Sequence, residues 1–408
     1  MSTKSVKTLP YGRQWIEDAD VAAVADQLRS DWLTQGPKIA DFEGALAEAV
    51  GVKYAVAVSS GTAALHLACL AAGIGSGDVG VTSAITFVAS ANCLRYVGAR
   101  PVLADVEADT GLMDPNSLKQ VADELAQAGT PPRAIIPVDL TGQPADLPAI
   151  QRIARKHGAI VIEDAAHSLG ADYQYEGVIY RCGDCAHADM AALSFHPVKH
   201  ITTGEGGAVT TNDETLYRRL MDLRTHGIVK DPERLSRTDG PWYYEQQALG
   251  FNYRITDLQC ALGLSQIHRL DGFVARRREI AALYDEEFKA PSLAEFYEPL
   301  RAHKDRRSSY HLYVVRLRRR AGESNEELNA RRRTVFEELH ARGIRPQVHY
   351  IPVHWQPDFQ KNVGMRRGDF PHAEDYYAGC LSLPMFPLMT DEDARRVLDE
   401  LRSISALI

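Results

Sequence analysis

An α/β fold is predicted for this chain, with a large domain built on a mostly parallel central sheet and a smaller C-terminal α+β domain. Three observations predict it. Up to about residue 265, short apolar runs alternate with longer helical patterns, as in βαβ units that feed a buried parallel sheet. Beyond that point the alternation stops, and a long Arg-rich helical stretch precedes a few scattered strand-like runs. The composition, 45% apolar and 25% charged over 408 residues, is that of a globular chain with ample surface to bury. At ~150 residues per domain the length fits two or three domains.

In chain order, residues 1–10 read as a polar, flexible tail. Ile16–Leu28 sets Val21, Val24 and Leu28 at helical spacing. Tyr54–Val58 reads as a buried strand and Thr62–Ala72 as an Ala- and Leu-rich helix. Val79–Thr82, Pro101–Ala104, Ala134–Val138 and Ala159–Ile162 read as strands, with helices near Ser90–Tyr96, Pro115–Gln127 and Leu147–Lys156 between them. Met190–Phe195 and Ala208–Thr210 are two more strands, before a helix near Glu214–Arg224. Ile267–Phe288 is the long Arg-rich helix. Tyr313–Leu317 is strand-like, Asn325–Arg342 helical, Gln347–Tyr350 strand-like, and Asp391–Ile404 a closing helix. The expected organisation is a tail at 1–10, a large domain at 11–265 and a small domain at 266–408.

Charge and sequence windows exclude several classes. Forty-six Lys plus Arg against 54 Asp plus Glu leave a net charge of −8, which offers no general attraction for nucleic acid or an anionic membrane. No window approaches the ~20 apolar residues of a membrane span. The N-terminal segment has no apolar core of a secretory signal. Six cysteines in a chain this long do not form a disulfide framework. A cytoplasmic protein is expected, in a reducing compartment.

Three segments carry chemistry. In Ser194-Phe195-His196-Pro197-Val198-Lys199-His200-Ile201-Thr202-Thr203-Gly204-Glu205-Gly206-Gly207, one lysine sits between a strand end and a Gly-rich turn. A loop lysine is commonly a solvated charge. Here the glycines allow close backbone approach, and Ser194, Thr202 and Thr203 offer hydroxyls to an anion. A lysine amine also forms Schiff bases with carbonyl compounds, pyridoxal phosphate (PLP) included. In Val161-Ile162-Glu163-Asp164-Ala165-Ala166-His167-Ser168, a strand ends in Asp164 at the edge where open α/β sheets bind ligands. Asp164 either accepts a proton from a pyridine nitrogen or caps the next turn. Glu163 points to the opposite face, because strand side chains alternate. In Val58-Ser59-Ser60-Gly61-Thr62-Ala63-Ala64, a strand and a small-residue turn open a helix, whose free N–H groups make an anion site. A plain Ser-Gly-Thr helix cap has the same sequence. Neither a GxGxxG nor a Walker pattern accompanies it.

Taken together, the three segments resemble fold-type-I PLP-dependent transferases (aspartate aminotransferase-like), and within them the DegT/DnrJ-type nucleotide-sugar aminotransferases. Leu33-Thr34-Gln35-Gly36-Pro37, Thr86-Phe87-Val88-Ala89-Ser90-Ala91-Asn92, Arg224-Thr225-His226-Gly227 and Gly250-Phe251-Asn252-Tyr253-Arg254-Ile255-Thr256-Asp257 extend the resemblance over nearly the whole chain. The resemblance implies that Lys199 holds PLP through a Schiff base and shuttles the proton. It implies that Asp164 pairs with the pyridinium, that Gly61, Thr62 and Ser194 bind the phosphate, and that Phe87 stacks on the ring. His167 would sit beside the ring near the 3-hydroxyl. Asn252 would reach the phosphate of the neighbouring subunit, so a homodimer is expected. Related PLP-dependent sugar dehydratases carry histidine at the lysine position; here it is Lys199, with His196 and His200 out of register, which favours amino transfer.

Tyr11-Gly12-Arg13-Gln14, Gln347-Val348-His349-Tyr350-Ile351-Pro352-Val353 and Leu381-Ser382-Leu383-Pro384-Met385-Phe386 resemble the branch of the family that serves pseudaminic acid synthesis. That branch implies transfer from L-glutamate to C4 of a UDP-4-keto-6-deoxy-N-acetylhexosamine. The product would be UDP-4-amino-4,6-dideoxy-N-acetyl-β-L-altrosamine. UDP-4-keto-pentose and TDP- or GDP-4-keto-6-deoxyhexose are the alternative acceptors. No metal is expected: Cys182-Gly183-Asp184-Cys185 with His187 has no second ligand pair. The runs Arg276–Arg278, Arg316 with Arg318–Arg320, and Arg331–Arg333 read as solvated faces, one of which is a candidate for the pyrophosphate. His349 and Tyr350 either line the sugar pocket or pack.

Overall fold

The computed structural model describes residues 8–407. Seven strands form the central sheet: β1 (Tyr54–Val58), β2 (Val79–Ser83), β3 (Arg100–Ala104), β4 (Ala134–Ile136), β5 (Ile160–Asp164), β6 (Met190–Ser194) and β7 (Gly207–Thr211). Their order is β1-β7-β6-β5-β4-β2-β3. Every neighbouring pair is parallel except those of β7, which runs antiparallel to β1 and β6. The strands are apolar on both sides because helices cover both faces.

Those helices are α1 (Asp18–Arg29), α2 (Pro37–Val50), α3 (Gly61–Ala71), α4 (Ala89–Tyr96), α5 (Pro115–Gln127), α6 (Leu147–His157) and α7 (Glu214–Arg224). Alternation along the strands sorts the core. Val56, Val58, Ile162 and Met190 meet α3, α4 and α7 on one face. On the other, Ile135 and Val161 meet Leu118 of α5 and Ile150 of α6, while Ala57 and Leu193 meet Phe42 of α2.

The helical chain next runs through α8 (Asp257–Ile267) and α9 (Leu270–Glu287). The helix expected over Ile267–Phe288 is α9, which starts at Leu270 because a turn at His268–Arg269 separates it from α8. Arg269 at the break is held by Glu17 at 2.8 Å and by buried Asp20 of α1. The division expected at 265/266 falls inside α8. Beyond α9, an antiparallel sheet of β8 (Tyr297–Pro299), β9 (Tyr313–Leu317) and β10 (Cys380–Leu383) packs with the helices Asn325–Ala341 and Asp391–Ser405. A mixed core of Ala84, Leu103 and Leu140 with Leu312, Val314 and Tyr376 joins this unit to the central sheet.

Two expectations need correction. Of the expected loose tail, residues 1–7 lie outside the described residues, but Leu9–Pro10 forms a strand parallel to Ile344–Arg345. Leu9 is 1% exposed and packs in the C-terminal core, so apolar burial fixes it there. The strand expected at Gln347–Tyr350 is one bridge only, between Gln347 and Ser382. The chain then leaves the sheet edge, and His349 and Tyr350 line a cavity at the end of the central sheet.

Among the described residues no helix is long and apolar enough to cross a membrane.

Candidate active site

β1, β5 and β6 all end at one edge of the central sheet. The loops that leave them enclose a cavity of about 660 Å³. This is the carboxyl edge, where parallel strands present successive side chains to a ligand. Gly61, Thr62, Phe87, Asp164, His167, Ser194 and Lys199 all line it, although they come from segments far apart in the chain.

The start of α3 forms one wall. Ser60 is its N-cap, and its hydroxyl accepts a hydrogen bond from the Ala63 N–H. The other first-turn N–H groups have no helical partner and carry the positive end of the helix dipole. Glycine is required here by close approach. A Cβ on Gly61 would lie 2.9 Å from the Ser194 Cβ, and a Cβ on Gly207 only 2.6 Å from the Gly61 nitrogen. Three strand ends thus close on a cup lined by backbone N–H groups and the Ser194 hydroxyl.

Asp164 sits at the floor and is buried. Its carboxylate accepts hydrogen bonds from the Ser90 hydroxyl at 2.6 Å and the Ala166 N–H at 3.2 Å. Burial pushes its pKa above the ordinary carboxyl value, while those two donors and the Lys199 charge oppose the rise. The Lys199 amine faces the same cavity and lies 3.4 Å from the His311 Nε2. Desolvation pulls its pKa down to about 7; Asp164 resists that fall and the charge of Arg277 adds to it.

Neutral rings surround the pair. The His167 Nε2 is 3.1 Å from the Tyr350 hydroxyl, and its ring centroid is 4.3 Å from that of His311. Burial, aided by the Lys199 charge, holds both imidazoles well below their usual pKa. The buried Nδ1 of His167 has no hydrogen-bond partner. Phe87 stands at the mouth, 55% exposed, with its ring 6.1 Å from that of Tyr350. Tyr11 and His349 complete the wall.

Thr202 and Thr203 do not offer their hydroxyls to the cavity: both are buried and donate to the Phe195 and Glu205 carbonyls. Asn252 is likewise outside its own chain's cavity. It is exposed, with its backbone bridged to Thr225. His311 was not foreseen. A lone histidine before a strand gives no signal in sequence, and only the packing of its segment against Lys199 shows it. Of the two readings left open for Tyr350 and His349, the cavity is the one observed.

Glu163 faces away from the cavity, as alternation requires. It is buried beside Asp139 and Cys182, the one grouping of potential metal ligands among the described residues. Cys185 and His187 take no part: Cys185 meets Thr210, and the His187 ring meets the Tyr173 hydroxyl. Burial and the Asp139 charge push the Glu163 pKa well up, so Glu163 keeps its proton and donates it to Asp139. Asp139 stays the acceptor, since the Ser168 hydroxyl and the Ala145 N–H also donate to it. A raised folded-state pKa makes the folded chain hold the extra proton. Stability is then lost as pH rises from the ordinary carboxyl range through the folded value. Glu163→Gln keeps both hydrogen bonds and has no proton to lose. Its melting temperature should match wild type in the ordinary carboxyl range and exceed it increasingly toward pH 8. Equal pH profiles in a thermal melt would contradict the shared proton.

The basic runs are structural and not simply solvated. Arg276 pairs with Asp391 at 2.7 Å, Arg316 with Asp375 at 2.5 Å, and Arg331 with Glu323 at 2.8 Å. Arg277 is wholly buried. None of these runs lines the cavity.

The DegT/DnrJ/EryC1/StrS aminotransferase family model matches residues 14–402. The spore coat polysaccharide biosynthesis protein SpsC of Bacillus subtilis is 39% identical over 400 residues, 97% of each chain. A UDP-4-amino-4,6-dideoxy-N-acetyl-β-L-altrosamine transaminase of Campylobacter jejuni is 35% identical over 396 residues, again 97% of each. Among solved structures, Helicobacter pylori PseC, an aminotransferase of pseudaminic acid biosynthesis, superposes with a TM-score of 0.86 at 31% identity, covering 98% of this chain and 100% of that one. A sugar aminotransferase from Streptococcus pneumoniae, Spr1654, in its PLP form gives 0.86 at 29% identity, covering 98% and 99%. The chain belongs to the DegT/DnrJ/EryC1/StrS aminotransferase family, and is a PLP-dependent sugar aminotransferase of fold type I.

Proposed function

We propose that the cavity holds PLP and moves an amino group from L-glutamate to C4 of a UDP-4-keto-6-deoxy-N-acetylhexosamine, giving UDP-4-amino-4,6-dideoxy-N-acetyl-β-L-altrosamine for pseudaminic acid synthesis. The observation that carries the chemistry is the meeting of a Lys199 amine, with its pKa near 7, and a buried Asp164 carboxylate in one cavity. The substrate rests on the altrosamine transaminases at 35% identity and on PseC. The greater identity to SpsC, 39%, favours a second reading, another nucleotide-linked 4-keto sugar destined for a polysaccharide.

The residues present fit the cofactor. The cup beneath Gly61 would be filled by any Cβ, and suits a phosphate held by α3 N–H groups and Ser194. The unpartnered His167 Nδ1 suits a phenolic oxygen. When bound, PLP supplies the electron sink for cleavage at the substrate α-carbon. Lys199 supplies the amine that binds the aldehyde and carries the proton. Asp164 keeps a ring nitrogen protonated by charge pairing. Phe87, at the mouth of the cavity, would cover the ring.

The test is the visible spectrum with L-glutamate. Its absorption band should bleach, and only the true 4-keto nucleotide sugar should restore it. A band indifferent to glutamate would overturn the donor, and one restored by a different sugar would select the second reading.

We propose further that the active unit is a homodimer in the cytoplasm, with Asn252 serving its neighbour's phosphate. Asn252 is exposed outside its own cavity, and Val21 and Leu28 of α1 are 59% and 58% exposed, an apolar face that the described residues leave uncovered. The six cysteines are free and buried, which suits a reducing compartment. Lys199→Ala and Asn252→Ala dimers, each impaired alone, should recover about a quarter of wild-type activity when dissociated and mixed, because random pairing rebuilds one site in each hybrid. No recovery would place Asn252 in its own chain's chemistry.

A further inference from the structure

The most unusual charge in the molecule lies one layer beneath the cavity. Arg277 of α9 is 0% exposed, yet among the described residues no carboxylate lies within ion-pair distance of it. Its Nη1 donates to three carbonyls instead: Tyr310 at 3.2 Å, His311 at 3.1 Å and Met385 at 3.1 Å. Its Nε and Nη2 have no partner. A guanidinium cannot shed its proton, so this is a permanent buried cation. Removing a charge from water without a counter-charge is costly, and such an arrangement persists where it does something else.

What it grips is the segment that carries His311. Tyr310 has φ +49°, a left-handed backbone that a tyrosine adopts only when its surroundings impose it. Arg278, next on α9, donates to the Ser308 carbonyl at 2.9 Å. The Ser309 hydroxyl donates to the His167 carbonyl at 3.1 Å, and the Ser309 carbonyl lies 3.2 Å from the His200 Nε2. The segment is thus pinned on all sides, and at its end the His311 imidazole stands 3.4 Å from the Lys199 amine.

We propose that Arg277 is a positioning residue for Lys199 that acts through His311: by holding the Tyr310, His311 and Met385 carbonyls it fixes the imidazole so that Nε2–H donates to the unprotonated Lys199 amine. This rests on Lys199 being the amine that reacts. The charged and titratable groups around that amine are Asp164 on β5, Arg277 on α9, Glu205 on the loop before β7, and the imidazoles of His167, His200, His311 and His349. Burial keeps all four imidazoles neutral at neutral pH. Asp164 is then the anion that favours the ammonium, and Arg277 is the cation that opposes it. The low pKa of Lys199 fits this balance.

The experiment uses the cofactor-free full chain, so its result does not depend on transamination. Trace acetic anhydride labels amines only when unprotonated, and mass spectrometry of the peptide containing Lys199 gives its titration midpoint. Diethyl pyrocarbonate labelling of His311 reports how firmly the imidazole is held. In wild type the Lys199 midpoint should fall near neutrality. In Arg277→Met, the Lys199 midpoint should rise by about one pKa unit, so that its labelling at pH 7 falls about fivefold, and labelling of His311 should rise. Arg277→Lys should fall between, since an ammonium cannot span three carbonyls. His311→Asn leaves Arg277 in place and should also raise the midpoint, which keeps the proposal testable should the Arg277 variants fail to fold. Arg278→Met, which frees the Ser308 carbonyl but leaves Arg277 on the Tyr310, His311 and Met385 carbonyls, should leave the Lys199 midpoint near wild type. A folded Arg277→Met or His311→Asn protein with the wild-type midpoint would overturn the proposal. The glutamate spectrum tests the cofactor reading separately, so the two can fail independently.

Discussion

Lys199→Ala should abolish amino transfer, with a loss of about 10⁴-fold or more in turnover. Two functions leave together. The amine that binds the cofactor aldehyde is gone, and with it a buried group whose pKa of about 7 suits it to carry a proton at neutral pH. His167 and His311 do not replace it, because burial leaves both well below the pKa at which they would accept a proton. The measurement is a coupled glutamate-dependent assay on protein incubated with excess PLP, read beside the visible spectrum. The variant should also give up its cofactor on gel filtration, since the covalent tether is missing. Turnover at the wild-type rate would remove Lys199 from the chemistry.

Asp164→Asn should cost about 10²–10³-fold in turnover while leaving the fold intact. The amide fits the site without new conflict. Its oxygen still accepts from the Ala166 N–H, and its NH₂ can donate to Ser90, whose hydroxyl turns to Thr86 at 2.7 Å. What is lost is the negative charge that holds a proton on the ring nitrogen. In the cofactor-free protein the sign reverses. Asp164 has its pKa raised by burial, so its charge opposes folding above the ordinary carboxyl range, and the variant should melt at or above the wild-type temperature at pH 8. Activity falling while the melting temperature holds is the signature of a charge kept for chemistry. A large drop in the melting temperature would instead make Asp164 a structural cap.

The sequence was most legible where a residue's role follows from strand geometry. β5 ends in Glu163-Asp164, and period-two alternation alone sends one side chain to the cavity and the other to the Asp139 pair. Lys199 and Gly61 announce themselves through neighbouring glycines, whose need for close approach the Ser194 and Gly207 contacts explain. Residues whose role depends on long-range packing stayed hidden. His311 meets Lys199 only because α9 pins its segment. Arg277 lies in a run of three arginines that resembles any solvated helix face; its spacing from Phe273, Val274 and Ile280 puts it on the buried stripe, but the three carbonyls that make this tolerable come from distant segments. Leu9 was misread because two residues give no periodicity, and their partner strand is more than three hundred positions away. The long helix was legible except for its start, because periodicity does not show the turn at His268–Arg269, where Arg269 reaches back to α1.

The one antiparallel strand of the central sheet has a consequence for assembly of the molecule. β7 lies between β1 and β6, and its first residue, Gly207, backs the Gly61 nitrogen. The walls of the anion cup come from residues 60–62, 194 and 207, and the cup exists only once β7 has slotted between strands that flank it. A newly made chain that has formed its local βαβ units still has no grip on an anion. Pairings between distant segments are slow to form, because loop closure precedes any gain from contact. A ligand that binds only the finished cup therefore stabilises the completed sheet alone, and its presence during synthesis acts as a selector for correctly threaded molecules.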